Sequence, residues 1–155
     1  MASMTAKVLL SACVFVAAGV LIFRCSAPPK DRKQAGCTNA DARGDFGYQF
    51  QGWVQSDPRG PFLLFAETGR WTADGAGNYN GSSTFSYGGK FFTHTFTGTY
   101  QINPDCSGSA IVPKDSLGST NLKFYWVIVE PGEEILLVSM AGVSAVNGRA
   151  ERLSR

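Results

Sequence analysis

The chain of 155 residues carries a single histidine, His94, in the segment FFTHTFTGTYQI. Imidazole is the side chain that ordinarily titrates near neutrality, so His94 is the first candidate for moving a proton. Strict alternation puts it on one strand face with Phe92, Phe96, Gly98, Tyr100 and Ile102. A lone histidine there is either a hydrogen-bonded core residue or a group turned into a cavity. Glu67, between Phe65 and Gly69 on its own strand face, is the second candidate. An exposed or rim position is the plainer expectation for a carboxylate. No defensible Ser–His–Asp arrangement accompanies the two, and no glycine-rich phosphate loop precedes a helix.

Four cysteines are the other chemically distinctive residues. Cys13 and Cys25 fall in or beside an apolar leader, which leaves Cys37 and Cys106 for the domain. Two cysteines in an exported domain most simply form one disulfide. A zinc site wants three or four ligands, and no CxxC or HxxxH spacing is present. A nucleophilic thiol wants a neighbouring histidine and a cationic setting. The disulfide is therefore the expectation, with a free thiol or a metal ligand as the alternatives. No cofactor or metal is implied by these residues.

The leader is the run from Val8 to Phe23, uninterruptedly apolar between Lys7 and Arg24. A basic start followed by such a run resembles a secretory signal. Its length is marginal for a membrane span, which needs about 17–25 residues. Residues 1–27 are expected to be a signal peptide or a retained anchor, placing the domain in a secreted or periplasmic setting, or membrane-anchored outside the cytoplasm. A membrane would then be met only through residues 8–23. Without residues 1–27, Lys+Arg fall from 14 to 12 (Lys7 and Arg24 are lost) and Asp+Glu stay at 12. That formal neutrality, with no basic stripe, argues against a nucleic-acid partner.

The elements that must position these residues are short strands. Residues 28–43 are polar and without period, a linker that becomes ordered near Cys37. The domain follows over residues 44–155. In DFGYQFQGWV, Phe46, Tyr48, Phe50 and Val54 share one face while Gln49 and Gln51 take the other. PFLLFAETGRWTA predicts a long strand bent near Gly69. DGAGN, Asp74 to Asn78, is a hairpin turn with residues that tolerate positive φ. It lacks the spacing of an EF-hand calcium loop. YNGSSTFSY and the Thr-alternating segment around His94 are the next two strands. NPDC then breaks the chain, because Pro104 has no backbone donor. SGSAIVP, NLKFYWVIVE, EEILLVSMA and SAVNGRAERL complete eight strands. Short sequential connections favour an all-β antiparallel meander, and eight amphipathic strands can close into a small barrel. A sandwich is the rival fold.

A Cys ahead of G-x-Y-x-F, then DGxGN, then GTYxxNxDCxG, resembles a family of small exported bacterial proteins of uncharacterised function. The matching residues are Cys37, Gly47-Tyr48-Gln49-Phe50 at an offset spacing, Asp74 to Asn78, and Gly98 to Gly108. The resemblance covers about residues 37–152. It implies an architecture similar to lipocalin-like or allene-oxide-cyclase-like barrels, and it carries no catalytic residue with it.

An interior of this size admits side chains or one small ligand. The leading expectation is a barrel binding a small apolar or aromatic molecule, lined by Phe46, Tyr48, Phe50, Phe92, Phe96, Tyr100 and Tyr125. The plainer alternative is that these residues simply fill the core. An enzyme of cyclase or isomerase type, using His94 and Glu67, is a second expectation. A third is an envelope surface protein with protein partners, for which Trp53, Trp71 and Trp126 would lie exposed together.

Overall fold

A computed structural model describes residues 36–154 apart from 56, 58 and 141–143; the leader and residues 28–35 lie outside the described residues. The chain forms eight strands: β1 Gly44–Val54, β2 Leu63–Ala73, β3 Asn78–Tyr87, β4 Lys90–Ile102, β5 Ser107–Asp115, β6 Thr120–Glu130, β7 Glu134–Ser139 and β8 Ser144–Arg152. Each pairs antiparallel with the next, and β8 returns to pair with β1, which closes the barrel. The barrel, not the sandwich, is the architecture. Closure removes both sheet edges, and the period-two alternation predicts which side chains enter the lumen.

Inward-facing positions combine large aromatics with glycines. Tyr48 lies opposite Gly69, Trp71 and Phe96 opposite Gly81, Tyr79 opposite Gly98, Trp126 opposite Gly108, and Phe50 opposite Gly148. An eight-strand lumen cannot seat a large side chain at every inward position, so small and large residues alternate around it. The close approach is explicit at Gly98, where a Cβ would fall 2.6 Å from Cε1 of Tyr79. The same holds at Gly148, where a Cβ would fall 2.8 Å from Cδ1 of Phe50.

One end of the barrel is closed by the segment before β1. A single turn of 3-10 helix, Asn39–Ala42, follows Cys37 in this segment. Asn39 holds it across the turns: its Oδ1 accepts from the Ile102 N–H at 2.8 Å, and its carbonyl accepts from the Tyr100 hydroxyl at 3.1 Å. The disulfide Cys37–Cys106 ties the same segment to the β4–β5 turn. Arg152 seals the far side, donating to the carbonyls of Gly132 and Arg43 while its guanidinium sits 5.2 Å from the Phe46 ring centroid. Among the described residues, no helix is long and apolar enough to cross a membrane.

DGAGN is a hairpin turn. Asp74 Oδ1 accepts the backbone N–H groups of Ala76, Gly77 and Asn78, and its Oδ2 accepts from the Asn78 side chain. Those bonds hold the exposed carboxyl well below its usual range, at about 2.

Candidate functional site

The closed half of the lumen is tightly packed with aromatics. Trp71 and Trp126 stack at 5.5 Å, Tyr100 stacks on Trp126 at 5.4 Å, and Phe46 lies against Trp71 at 5.9 Å. Phe46 and Tyr100, expected as ligand-lining residues, therefore fill the core of this half. The Tyr100 hydroxyl also accepts the Gly75 N–H, joining the β2–β3 turn to the 3-10 turn that forms the plug at this end. The other half, where the β1–β2, β3–β4, β5–β6 and β7–β8 connections lie, contains a cavity of about 260 Å³. Its walls are largely apolar, with Phe50, Phe65, Phe85, Leu122, Phe124 and Val146, and they also carry the hydroxyl residues Tyr87, Ser119, Ser139 and Ser144. Phe50 stacks on Phe124 at 5.4 Å, and Phe65 lies against Phe85 at 5.5 Å. A smaller void of about 50 Å³ lies among Tyr48, Phe96, Trp71 and Trp126.

Two carboxyl groups and one imidazole reach this largely apolar space: Glu67 from β2, His94 from β4 and Asp115 from the end of β5. They form one buried chain. His94 Nδ1 is 3.0 Å from Asp115 Oδ2, and His94 Nε2 is 3.3 Å from Glu67 Oε1. The side chains are 9%, 2% and 11% exposed for His94, Asp115 and Glu67. Glu67 is therefore an interior group, correcting the expectation of a rim carboxylate. Tyr48 and Ser83 each donate to the same Oε1 of Glu67 at 2.6 Å. All three bonds converge on one oxygen.

The electrostatics follow from that geometry. The hydrogen bond to Glu67 raises the His94 pKa; burial opposes it, and the bond to Asp115 adds to it. His94 thus holds its proton more firmly than a free imidazole. Burial pushes the Asp115 carboxyl up. Bonds from Ser119, His94 and the backbone N–H of Leu117 outweigh it and hold that carboxyl below the usual range. Burial above all, and then the charge of Glu67, pushes the Tyr48 phenol far up, so Tyr48 stays a donor. Among the described residues, no group of three or more His, Cys, Asp and Glu is arranged to hold a metal ion.

The remaining expected residues divide by position. Phe50 walls the cavity, while Tyr48 and Phe96 border the smaller void beneath it. Phe92 sits at the mouth, 37% exposed and stacked on Phe85 at 5.2 Å. Tyr125 is a correction. It lies on the outer face of β6 at 42% exposure, because Phe124 and Trp126 take the inward positions on either side of it. Three consecutive aromatics conceal which parity faces the lumen. The three tryptophans do not form a surface patch, since Trp71 and Trp126 are buried and Trp53 alone is exposed. An outer apolar strip does exist, with Tyr125 paired to Val138 and Val127 to Leu136.

Asp115, Ser83, Phe65, Phe85 and Phe124 were not anticipated. Ser83, Phe65 and Phe85 follow from parity, whereas Phe124 lies in the aromatic run that conceals it. Asp115 does not follow from parity, because the β4–β5 register shifts between Thr97 and Thr99, inserting one extra residue into β5. Pro113 and Lys114 both face out, and the bulge turns Asp115 inward.

Compared with known proteins, the chain matches no family model, no curated protein and no solved structure.

Proposed function

We propose that this protein is an exported β-barrel that binds one small, largely apolar molecule in the cavity at the mouth end of its lumen. The observation that carries the reading is the division of the interior: a packed half beneath a hollow, aromatic-walled half of about 260 Å³. A cavity of about 150 Å³ is enough to hold benzene, so this one suits a molecule of roughly bicyclic size. Apolar walls with a few convergent polar groups are the usual composition of a small-molecule site. Action outside the cytoplasm is supported by the disulfide, a bond that persists in oxidising compartments, together with the basic-then-apolar start of the sequence.

The test is calorimetric titration of the purified full-length protein with neutral aromatic probes of one and two rings. Saturable one-to-one binding supports the reading. Leu122→Trp, which fills the cavity from β6, should abolish it while far-ultraviolet circular dichroism stays that of a β protein. Binding that survives Leu122→Trp in a folded variant would place the site elsewhere.

A second reading, an isomerase- or cyclase-type enzyme, is favoured by the His94–Asp115 pair. A carboxylate that orients an imidazole is the usual support for a general acid or base, and here the imidazole also reaches Glu67 at the edge of a largely apolar cavity. Turnover of an apolar substrate that is lost in both His94→Gln and Glu67→Gln, with binding retained, would favour this reading over binding alone.

A further inference from the structure

We infer that the molecule held in this cavity is an organic cation, an apolar or aromatic amine whose ammonium group is received by Glu67. The inference rests on the ligand-binding reading above and names the class of ligand.

Charge balance is the first ground. The cavity meets two carboxyl groups and one imidazole, and no Lys or Arg is among its described lining residues. With His94 protonated between Glu67 and Asp115, the three sum to one net negative charge. Moving the proton from His94 to Glu67 leaves that sum unchanged. An uncompensated charge in an apolar enclosure is costly, and it is relieved by a counter-charge or a further proton. A cationic ligand supplies the counter-charge. A carboxylic acid would bring a second negative charge into the same space.

Hydrogen-bond geometry is the second ground. Tyr48, Ser83 and His94 all address Oε1 of Glu67. None of these bonds uses Oε2, which remains as an acceptor for a donor entering from the cavity. A carboxylate can accept at both oxygens, and an ammonium group carries up to three donors.

The walls are the third. Phe50, Phe65, Phe85 and Phe124 all border the cavity. Aromatic rings around a carboxylate suit an ammonium ion, because the negative ring face attracts a cation and the rings bury the apolar remainder of the ligand. The exposed Lys90, Lys114 and Lys123 lie on the outside of the barrel. Solvent and salt screen them from the lumen.

The test uses three probes of nearly equal size, 1-naphthylmethylamine, 1-naphthylmethanol and 1-naphthoate, titrated calorimetrically into the full-length protein at neutral pH. The amine should bind about tenfold or more tighter than the alcohol, and the carboxylate weakest of all. Glu67→Gln should reduce the amine's advantage over the alcohol to within about threefold. Alcohol or carboxylate binding as tightly as the amine in the wild-type protein would overturn the inference and leave the pocket reading standing. No binding of any of the three to folded protein would remove both. The selectivity of the wild-type protein decides the matter even where the variant fails to fold.

Discussion

Tyr48 donates its phenolic hydrogen to Oε1 of Glu67 at 2.6 Å, linking β1 to β2 inside the lumen. The bond adds to those from Ser83 and His94 in fixing the orientation of the Glu67 carboxylate. Tyr48→Phe keeps the ring, which packs at 4.8 Å from Trp71 and 5.5 Å from Phe50, and removes only the donor. A hydrogen bond to a charged group contributes about 1.5–3 kcal/mol. Urea unfolding should show a loss in that range with an unchanged m-value. An unchanged midpoint would mean that Ser83 and His94 hold Glu67 without Tyr48.

His94 gives the protein a pH-dependent stability whose sign is set by the direction of its shift. Its folded pKa is raised above the unfolded value of about 6.5. The stabilisation is therefore complete below about pH 6.5 and is lost as pH rises through the folded value. Asp115 acts with the opposite sign, since its folded pKa is depressed. Its contribution is present above about pH 4 and is lost as pH falls through the folded value. The titratable groups facing His94 are Glu67 from β2 and Asp115 from β5, with Tyr48 behind Glu67. Denaturant midpoints of the wild-type protein should fall as pH rises above about 6.5, and His94→Gln should flatten that fall. Parallel wild-type and variant profiles across that window would exclude His94 as its source.

The disulfide closes a loop with a sequence separation of 69 residues. Chain-entropy reasoning gives about 4 kcal/mol for a loop of this length. Cys37→Ser with Cys106→Ser should lower the unfolding free energy by about that amount and loosen the plug first. Hydrogen exchange should then rise at Ile102 and Gly132, whose N–H groups donate to Asn39 and Asp41. Equal protection of those amides with and without the bridge would show that hydrogen bonds alone hold the plug.

The strands and their order were legible because most carry a clean period of two, bounded by turns with a specific chemistry such as Asp74 to Asn78. Cysteine economy made the bridge legible. The buried polar chain was only half legible. His94 and Glu67 share faces with aromatics, so parity put both inside, but the habit that carboxylates stay exposed argued against Glu67. Asp115 was beyond parity altogether. Its inward turn depends on one extra residue in β5, a register event between two strands that no local pattern in SGSAIVPKD announces. Tyr125 failed for a related reason. In β6 both faces are apolar, so amphipathy cannot tell lumen from exterior.

The pairing of Gly98 with Tyr79 tests the alternation of large and small residues on which the lumen depends. A Cβ on Gly98 would fall 2.6 Å from Cε1 of Tyr79 and would also press on the carbonyl oxygen of Ile111. Tyr79 cannot retreat, because it is wedged between Trp126 at 5.6 Å and Phe96 at 5.9 Å. Gly98→Ala should therefore destabilise by about 1–3 kcal/mol, the usual cost of overpacking. Tyr79→Leu alone should also destabilise, by leaving a void beside Trp126. The double variant should be more stable than the sum of the two predicts, since the shorter side chain makes room for the added methyl group. Part of the Gly98→Ala cost should persist, because the Ile111 carbonyl stays where it is. Strict additivity in a double-mutant cycle would mean that the backbone contact accounts for the whole effect, and that the large-and-small pattern at this position is not a packing constraint.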